Sequence, residues 1–179
     1  MPLQSLLDKT TSRLLSILSG GSLESLGKII HLVFVFKWGS DGSSGFTMFK
    51  QTSIDPKLND THLYATSVVP LQLYQNWEGG QKRIVWQNPR PSSRRYCRPL
   101  KLEFDKETED LIVSTSQSVK ENLSKVQEFC GKFWNVEVHV VYEMHMTMVD
   151  GKLCNIITGQ KSTRSCYICL ASSSDMNNF

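Results

Sequence analysis

From Val136 to Val149 apolar and polar residues alternate with hardly a break, and the run then stops at Asp150-Gly151. Side chains on a strand point to opposite faces with a period of two. Val136, Val138, Val140, Tyr142, Met144, Met146 and Met148 therefore share one face, and Glu137, His139, Glu143, His145 and Thr147 take most of the other. A chain containing such a segment must build a sheet with one buried face around it.

A second run, Ile29 to Trp38, is nearly continuous in apolar, β-branched and aromatic residues. That pattern predicts a central strand buried on both faces. It ends in Gly39-Ser40-Asp41-Gly42, so two apolar strands both run into Asp-Gly. If they lie side by side, Asp41 and Asp150 converge on one edge of the sheet. Paired carboxylates there suit Mg²⁺ or Mn²⁺, because hard divalent ions take oxygen ligands. Two such ions can activate water and stabilise a leaving oxygen in phosphodiester cleavage. Asp-Gly is also a common turn dipeptide, and a plain turn is the competing account.

The remaining pattern places these strands in an α/β chain. Leu6, Leu7, Leu14, Leu15 and Leu18 predict a short amphipathic helix that Gly20-Gly21-Ser22 breaks, an arm leading into the core. Phe46–Lys50 and Leu63–Val69 read as further strands with a bend near Asn59-Asp60, and 72–100 reads as an irregular segment. Asp105 is a candidate N-cap, followed by Glu107, Glu109 and Asp110. Ile112, Val119, Leu123, Val126 and Cys130 recur at helical spacing, predicting a helix of roughly 25 residues that Gly131 stops.

At 179 residues and a net charge of +3, the chain is long enough for a core but too weakly basic for charge alone to argue a nucleic-acid partner. The cations are clustered, however. Arg90, Arg94, Arg95, Arg98 and Lys101 crowd one stretch, suited either to DNA phosphates or to pairing with Glu103, Glu107 and Glu109. Trp77 and Trp86 nearby read as packing residues. No apolar run reaches the roughly 18 residues of a membrane span. Asp8, Lys9 and Arg13 rule the first residues out as a signal peptide, which points to a reducing compartment.

In that setting Cys166-Tyr167-Ile168-Cys169 reads as a knuckle that offers two thiolates to Zn²⁺, with a metal-free or redox pair as alternatives. Cys154 and His145, or a second protein chain, are candidates for the remaining ligands. Cys97 and Cys130 read as buried cysteines.

Phe34-Val35-Phe36-Lys37-Trp38-Gly39-Ser40-Asp41-Gly42 resembles the first catalytic strand of the V(D)J recombinase catalytic subunit and its Transib transposase relatives. The likeness continues through Cys97-Arg98-Pro99-Leu100-Lys101-Leu102, Met148-Val149-Asp150-Gly151-Lys152 and the cysteine knuckle, in the same order. It implies a ribonuclease-H-like mixed sheet flanked by helices, incomplete at the C-terminus. It also implies a nuclear, metal-dependent enzyme that nicks DNA and transfers strands, with Asp41 and Asp150 as the first two members of an Asp-Asp-Glu triad. The family's glutamate and its zinc-binding histidines lie farther downstream, and no residue here is assigned to either role. The expectation is weak metal binding without useful cleavage.

The expected organisation is a helical arm over 1–28, a partial core over 29–152, and a knuckle with polar tail over 153–179. Arg94, Arg95, Arg98 and Lys101 would hold DNA. The alternative is a non-catalytic DNA- or protein-binding module derived from a transposase and carrying the zinc knuckle.

Overall fold

The computed structural model describes residues 2–42, 62–160, 166, 168–169 and 171–172, so the strand expected over Phe46–Lys50 lies outside the described residues. It is an α/β protein with a mixed, open sheet of six strands flanked by helices. The strands are β1 (Ile29–Gly42), β2 (Leu63–Asn76), β3 (Lys82–Gln87), β4 (Arg98–Phe104), β5 (Phe129–Phe133) and β6 (Val136–Met146). They lie in the order β3-β2-β1-β6-β5, with β4 also paired to β2. The helices are α1 (Leu3–Ile17), α2 (Gly20–Glu24), α3 (Glu109–Leu123) and α4 (Gly151–Thr158). Among the described residues no helix is long and apolar enough to cross a membrane.

The chain divides into two compact units, one of residues 1–39, 66–101 and 122–147, the other of 40–65, 102–121 and 148–179. In the first unit α1 is no free arm. Leu3, Leu6, Leu7, Leu14 and Leu15 are all buried, because leucines three, four and seven apart form a stripe wide enough to serve as core. Burying one such leucine fully contributes roughly 1.5–3 kcal/mol. The helix is also pinned by polar contacts. The Tyr142 hydroxyl donates to Asp8 at 2.9 Å and lies 3.0 Å from the Thr11 hydroxyl.

Strand β1 is central, yet only one of its faces is sealed. Ile30, Leu32, Phe34, Phe36 and Trp38 are buried, whereas Ile29 and His31 on the opposite face are exposed. Nearly half of the segment expected to be irregular is strand. Strand β2 runs on to Asn76 and returns antiparallel as β3, with a register shift at Leu73/Tyr74. Gly79 and Gly80 adopt positive φ at that return, which side chains other than glycine resist. Trp77 beside it is not a packing residue: it is exposed, with the Arg83 guanidinium 5.5 Å over its ring.

The helix expected to run to Cys130 ends at Leu123, and Cys130 and Gly131 lie in β5. The spacing of Val126 and Cys130 coincided with a helical period, but their backbone is claimed by a hairpin. Trp134 and Asn135 both have positive φ (51° and 67°), as the tight two-residue loop matching strand twist requires. Gly131 does not cap a helix; a Cβ there would stand 2.9 Å from the Phe133 ring and 3.1 Å from that of Phe129. At the helix start the cap is Thr108 rather than Asp105, its hydroxyl accepting from the Leu111 N–H at 3.2 Å.

Candidate metal centre

Strands β1 and β6 are parallel neighbours in a register that runs from Ile29↔Glu137 to Trp38↔Met146. The Thr147 N–H extends the ladder to the Trp38 carbonyl at 3.1 Å. Parallel strands leave a sheet at the same end, so Asp41 near the end of β1 and Asp150 just past β6 emerge together. Both belong to the second unit.

Neither Asp-Gly is a hairpin turn. Asp41 and Gly42 are the last residues of β1, and neither Gly42 nor Gly151 has positive φ. Gly42 is required for close approach, since a Cβ there would lie 2.5 Å from Oε2 and 2.8 Å from Cβ of Glu107. Asp150 is the N-cap of α4, its Oδ1 accepting from the Leu153 N–H at 2.7 Å. One oxygen of Asp150 is thus committed to the helix.

Glu107 completes an acidic cluster. Its Oε2 accepts from the Gly42 N–H at 3.2 Å, and its Oε1 accepts from Lys152 Nζ at 2.9 Å. The Asp41 carboxyl is pushed above its ordinary value by partial loss of water, then by the charges of Glu107 and Asp150. The Gly42 N–H and Lys152 offset this only in part. Beneath, the buried Tyr64 donates to the Ser40 hydroxyl at 2.7 Å, and its phenol is pushed up by burial and by Glu107, Glu103 and Asp41. Asp41, Glu107 and Asp150 thus gather around the Lys152 ammonium, an excess of negative charge that a divalent cation would correct.

The cluster is open rather than closed. Among the described residues, the three acids do not bring their oxygens within 4.8 Å of one another, and the group that does so is His31, Glu128 and His139. The local sequence pattern marks Glu107 only as a charge near a helix start. Its place beside Asp41 depends on a contact 65 residues distant in the chain, which no local pattern signals.

The other expected site residues are dispersed. The Cys166 thiol is held below its ordinary value by the N–H groups of Cys169 and Ile168 and by the Cys169 side chain. The Ile168 N–H reaches Cys166 Sγ at 3.4 Å. Among the described residues no third ligand joins this pair. Cys154 is half-buried in α4, and His145 bonds Glu143 at 2.8 Å. Cys97 is half-buried and Cys130 exposed, so neither is a core cysteine.

In the basic stretch Arg94, Arg95 and Lys101 are exposed. Arg98 is half-buried, and its guanidinium donates to the Arg95 carbonyl at 2.9 Å, holding the turn that carries its neighbours. Glu107 pairs with Lys152 rather than with these arginines.

No protein-family model matches this sequence, and no curated protein matches it at a significant level.

Proposed function

We propose that this chain is part of a metal-dependent DNA-nicking and strand-transfer core of ribonuclease-H-like type, with Asp41 and Asp150 as its cation ligands. What carries the reading is the parallel pairing of β1 with β6, which brings the two strand-end aspartates into electrostatic contact. The antiparallel β2–β3 pair beside β1, and a helix preceding the β5–β6 hairpin, agree with a sheet of that type. The family likeness of the segments around Asp41, Asp150 and Cys166 agrees with it as well.

The chain's own residues divide the work. Asp41 and the Asp150 oxygen not used for the helix cap hold the cation. Glu107, fixed by Lys152 and Gly42, sets the local charge. Arg94 and Arg95 present guanidinium groups to a phosphate backbone. A bound divalent ion would supply water activation and stabilisation of the departing oxygen. The half-site Cys166/Cys169 is assigned to Zn²⁺.

The test is Mn²⁺ titration of the whole chain, followed by water-proton relaxation or calorimetry, with Asp41→Asn and Asp150→Asn beside it. Asn keeps the cap acceptor at 150 while deleting charge. Loss of Mn²⁺ binding in both variants, with folding intact, supports the reading. Equal Mn²⁺ affinity in all three chains overturns it.

A second reading, a DNA- or protein-binding module without catalysis, draws on the fact that Glu107 and Asp150 already spend oxygens on the chain itself. It requires DNA affinity indifferent to Mn²⁺ and to Asp41→Asn.

A further inference from the structure

The exposed face of the sheet carries a second group of metal-ligating side chains, wholly within the first unit. Registers explain how it forms. His31 of β1 lies opposite His139 of β6 in the parallel pair, and Cys130 of β5 lies opposite the same His139 in the antiparallel pair. One cross-strand row therefore reads His31, His139, Cys130 across three adjacent strands. Glu128, immediately before β5, closes the row from its end.

The distances make this a cluster. Ligand atoms of His31, Glu128 and His139 all fall within 4.8 Å of one another. The two imidazoles stack with centroids 4.9 Å apart. His139 Nδ1 is 3.7 Å from Glu128 Oε1 and 3.4 Å from Cys130 Sγ. Its other nitrogen, Nε2, lies 3.0 Å from Glu137 Oε1. A carboxylate that receives the far N–H of an imidazole fixes the ring's tautomer and turns the opposite lone pair outward, the usual support of a ligating histidine. Here that nitrogen is the one beside Cys130 and Glu128, while His31 stacks on the face of the ring.

We infer that His31, His139 and Glu128 form a surface site for a borderline divalent ion of the Zn²⁺ class, with Cys130, 3.4 Å from His139 but outside that three-residue group, drawn in as the fourth ligand on binding and Glu137 orienting His139. Two imidazoles, one carboxylate and one thiolate make a mixed N/O/S set that suits Zn²⁺ in four-coordination and disfavours Mg²⁺. The site is separate from the acidic cluster and from the Cys166/Cys169 pair, and it ties β1, β6 and β5 together along a face that apolar burial leaves unsealed.

The experiment uses the full chain with Cys166→Ser and Cys169→Ser, which removes both thiolates of the knuckle. After chelation, Co²⁺ is titrated as an optical probe of four-coordination, and Zn²⁺ affinity is measured by competition against a chromophoric chelator. The expected result is one equivalent of Co²⁺ with strong visible bands and a thiolate charge-transfer band that vanishes in Cys130→Ser. Glu137→Gln should weaken Zn²⁺ binding about 10–100-fold, as loss of an orienting partner does, and His139→Gln should weaken it further. All these positions are on the solvent side, and circular dichroism checks folding in each variant. The inference is overturned if Co²⁺ gives no such bands, or if Zn²⁺ affinity is unchanged in His31→Gln and His139→Gln. It is equally overturned if binding follows Asp41→Asn instead.

Discussion

Lys152, on the first turn of α4, donates to Glu107 at 2.9 Å, and Glu107 in turn accepts the Gly42 N–H beside Asp41. One ammonium thereby holds the acid that the other two acids repel. Its own charged form is favoured mainly by the hydrogen bond to Glu107. The arrangement makes Lys152 a competitor for any cation that enters the cluster.

Replacing Lys152 with Gln should therefore strengthen Mn²⁺ binding several-fold while changing stability little. The pair is solvent-exposed on the lysine side, and exposed pairs contribute on the order of 0.2–1 kcal/mol. Calorimetric titration of the two chains checks this. Weaker binding in Lys152→Gln would mean that the lysine positions Glu107 for the ion instead of competing with it.

Asp41 provides a pH test in the metal-free chain. Its folded-state pKa is raised, so the folded chain binds its proton more tightly than the unfolded chain does. Ionising Asp41 then costs stability, and that cost is absent below the ordinary carboxylate range and present above the raised value. Asp41→Asn should accordingly melt higher than the parent chain at about pH 7, with the gap closing toward about pH 4 as the parent takes up its proton. Thermal melts across that range decide it, and a gap that widens on acidification contradicts the assigned cause. Added Mn²⁺ should stabilise the parent and not the variant.

Asp150 has two duties that substitution can separate. Asp150→Ala removes the cap of α4 and should cost about 0.5–2 kcal/mol, whereas Asp150→Asn retains an acceptor and should cost much less. Both should lose Mn²⁺ affinity alike. Chemical denaturation paired with titration reads the two effects independently.

How far the sequence carried this picture follows from the range of the forces involved. Alternation along Val136–Met146 and the apolar run before Asp41 are local and strong, so both strands and their acidic ends were readable. Their adjacency was a conditional, and the parallel register supplies it. The β5–β6 hairpin was hidden because Val126 and Cys130 mimic a helical period, while the loop that decides the matter is only Trp134-Asn135. Helix α4 was hidden because Asp150-Gly151 looks alike as a turn and as a cap with its first helical residue. Glu107 and the His31–His139 row were illegible for a third reason: each depends on pairing between segments far apart in the chain, which composition and period do not encode.

Gly42 tests whether the close approach of Glu107 matters. An added methyl would collide with both the carboxylate and the Cβ of Glu107, and only the first of these can swing aside. Gly42→Ala should therefore destabilise by about 1–3 kcal/mol, the usual cost of overpacking. A neutral result in denaturant melts would show that the Asp41–Gly42 tip and Glu107 separate freely.

The arginines of the turn before β4 and at the start of that strand should divide by what their side chains already touch. Arg94 and Arg95 are exposed, while Arg98 spends its guanidinium on the Arg95 and Cys97 carbonyls. If this turn lies along a DNA backbone, every phosphate that an arginine neutralises releases counterions, and the slope of log affinity against log salt shifts by about 0.9 for each such phosphate. Arg94→Gln with Arg95→Gln should flatten that slope by up to about two such steps and leave the melting temperature unchanged. Arg98→Gln should instead lower the melting temperature, because backbone carbonyls lose a charged donor, and any drop in DNA affinity should follow from the loosened turn. Fluorescence anisotropy of a labelled duplex over a salt series, with melts on the same samples, distinguishes the two patterns. A slope untouched by the Arg94/Arg95 pair removes this turn from the DNA-binding surface.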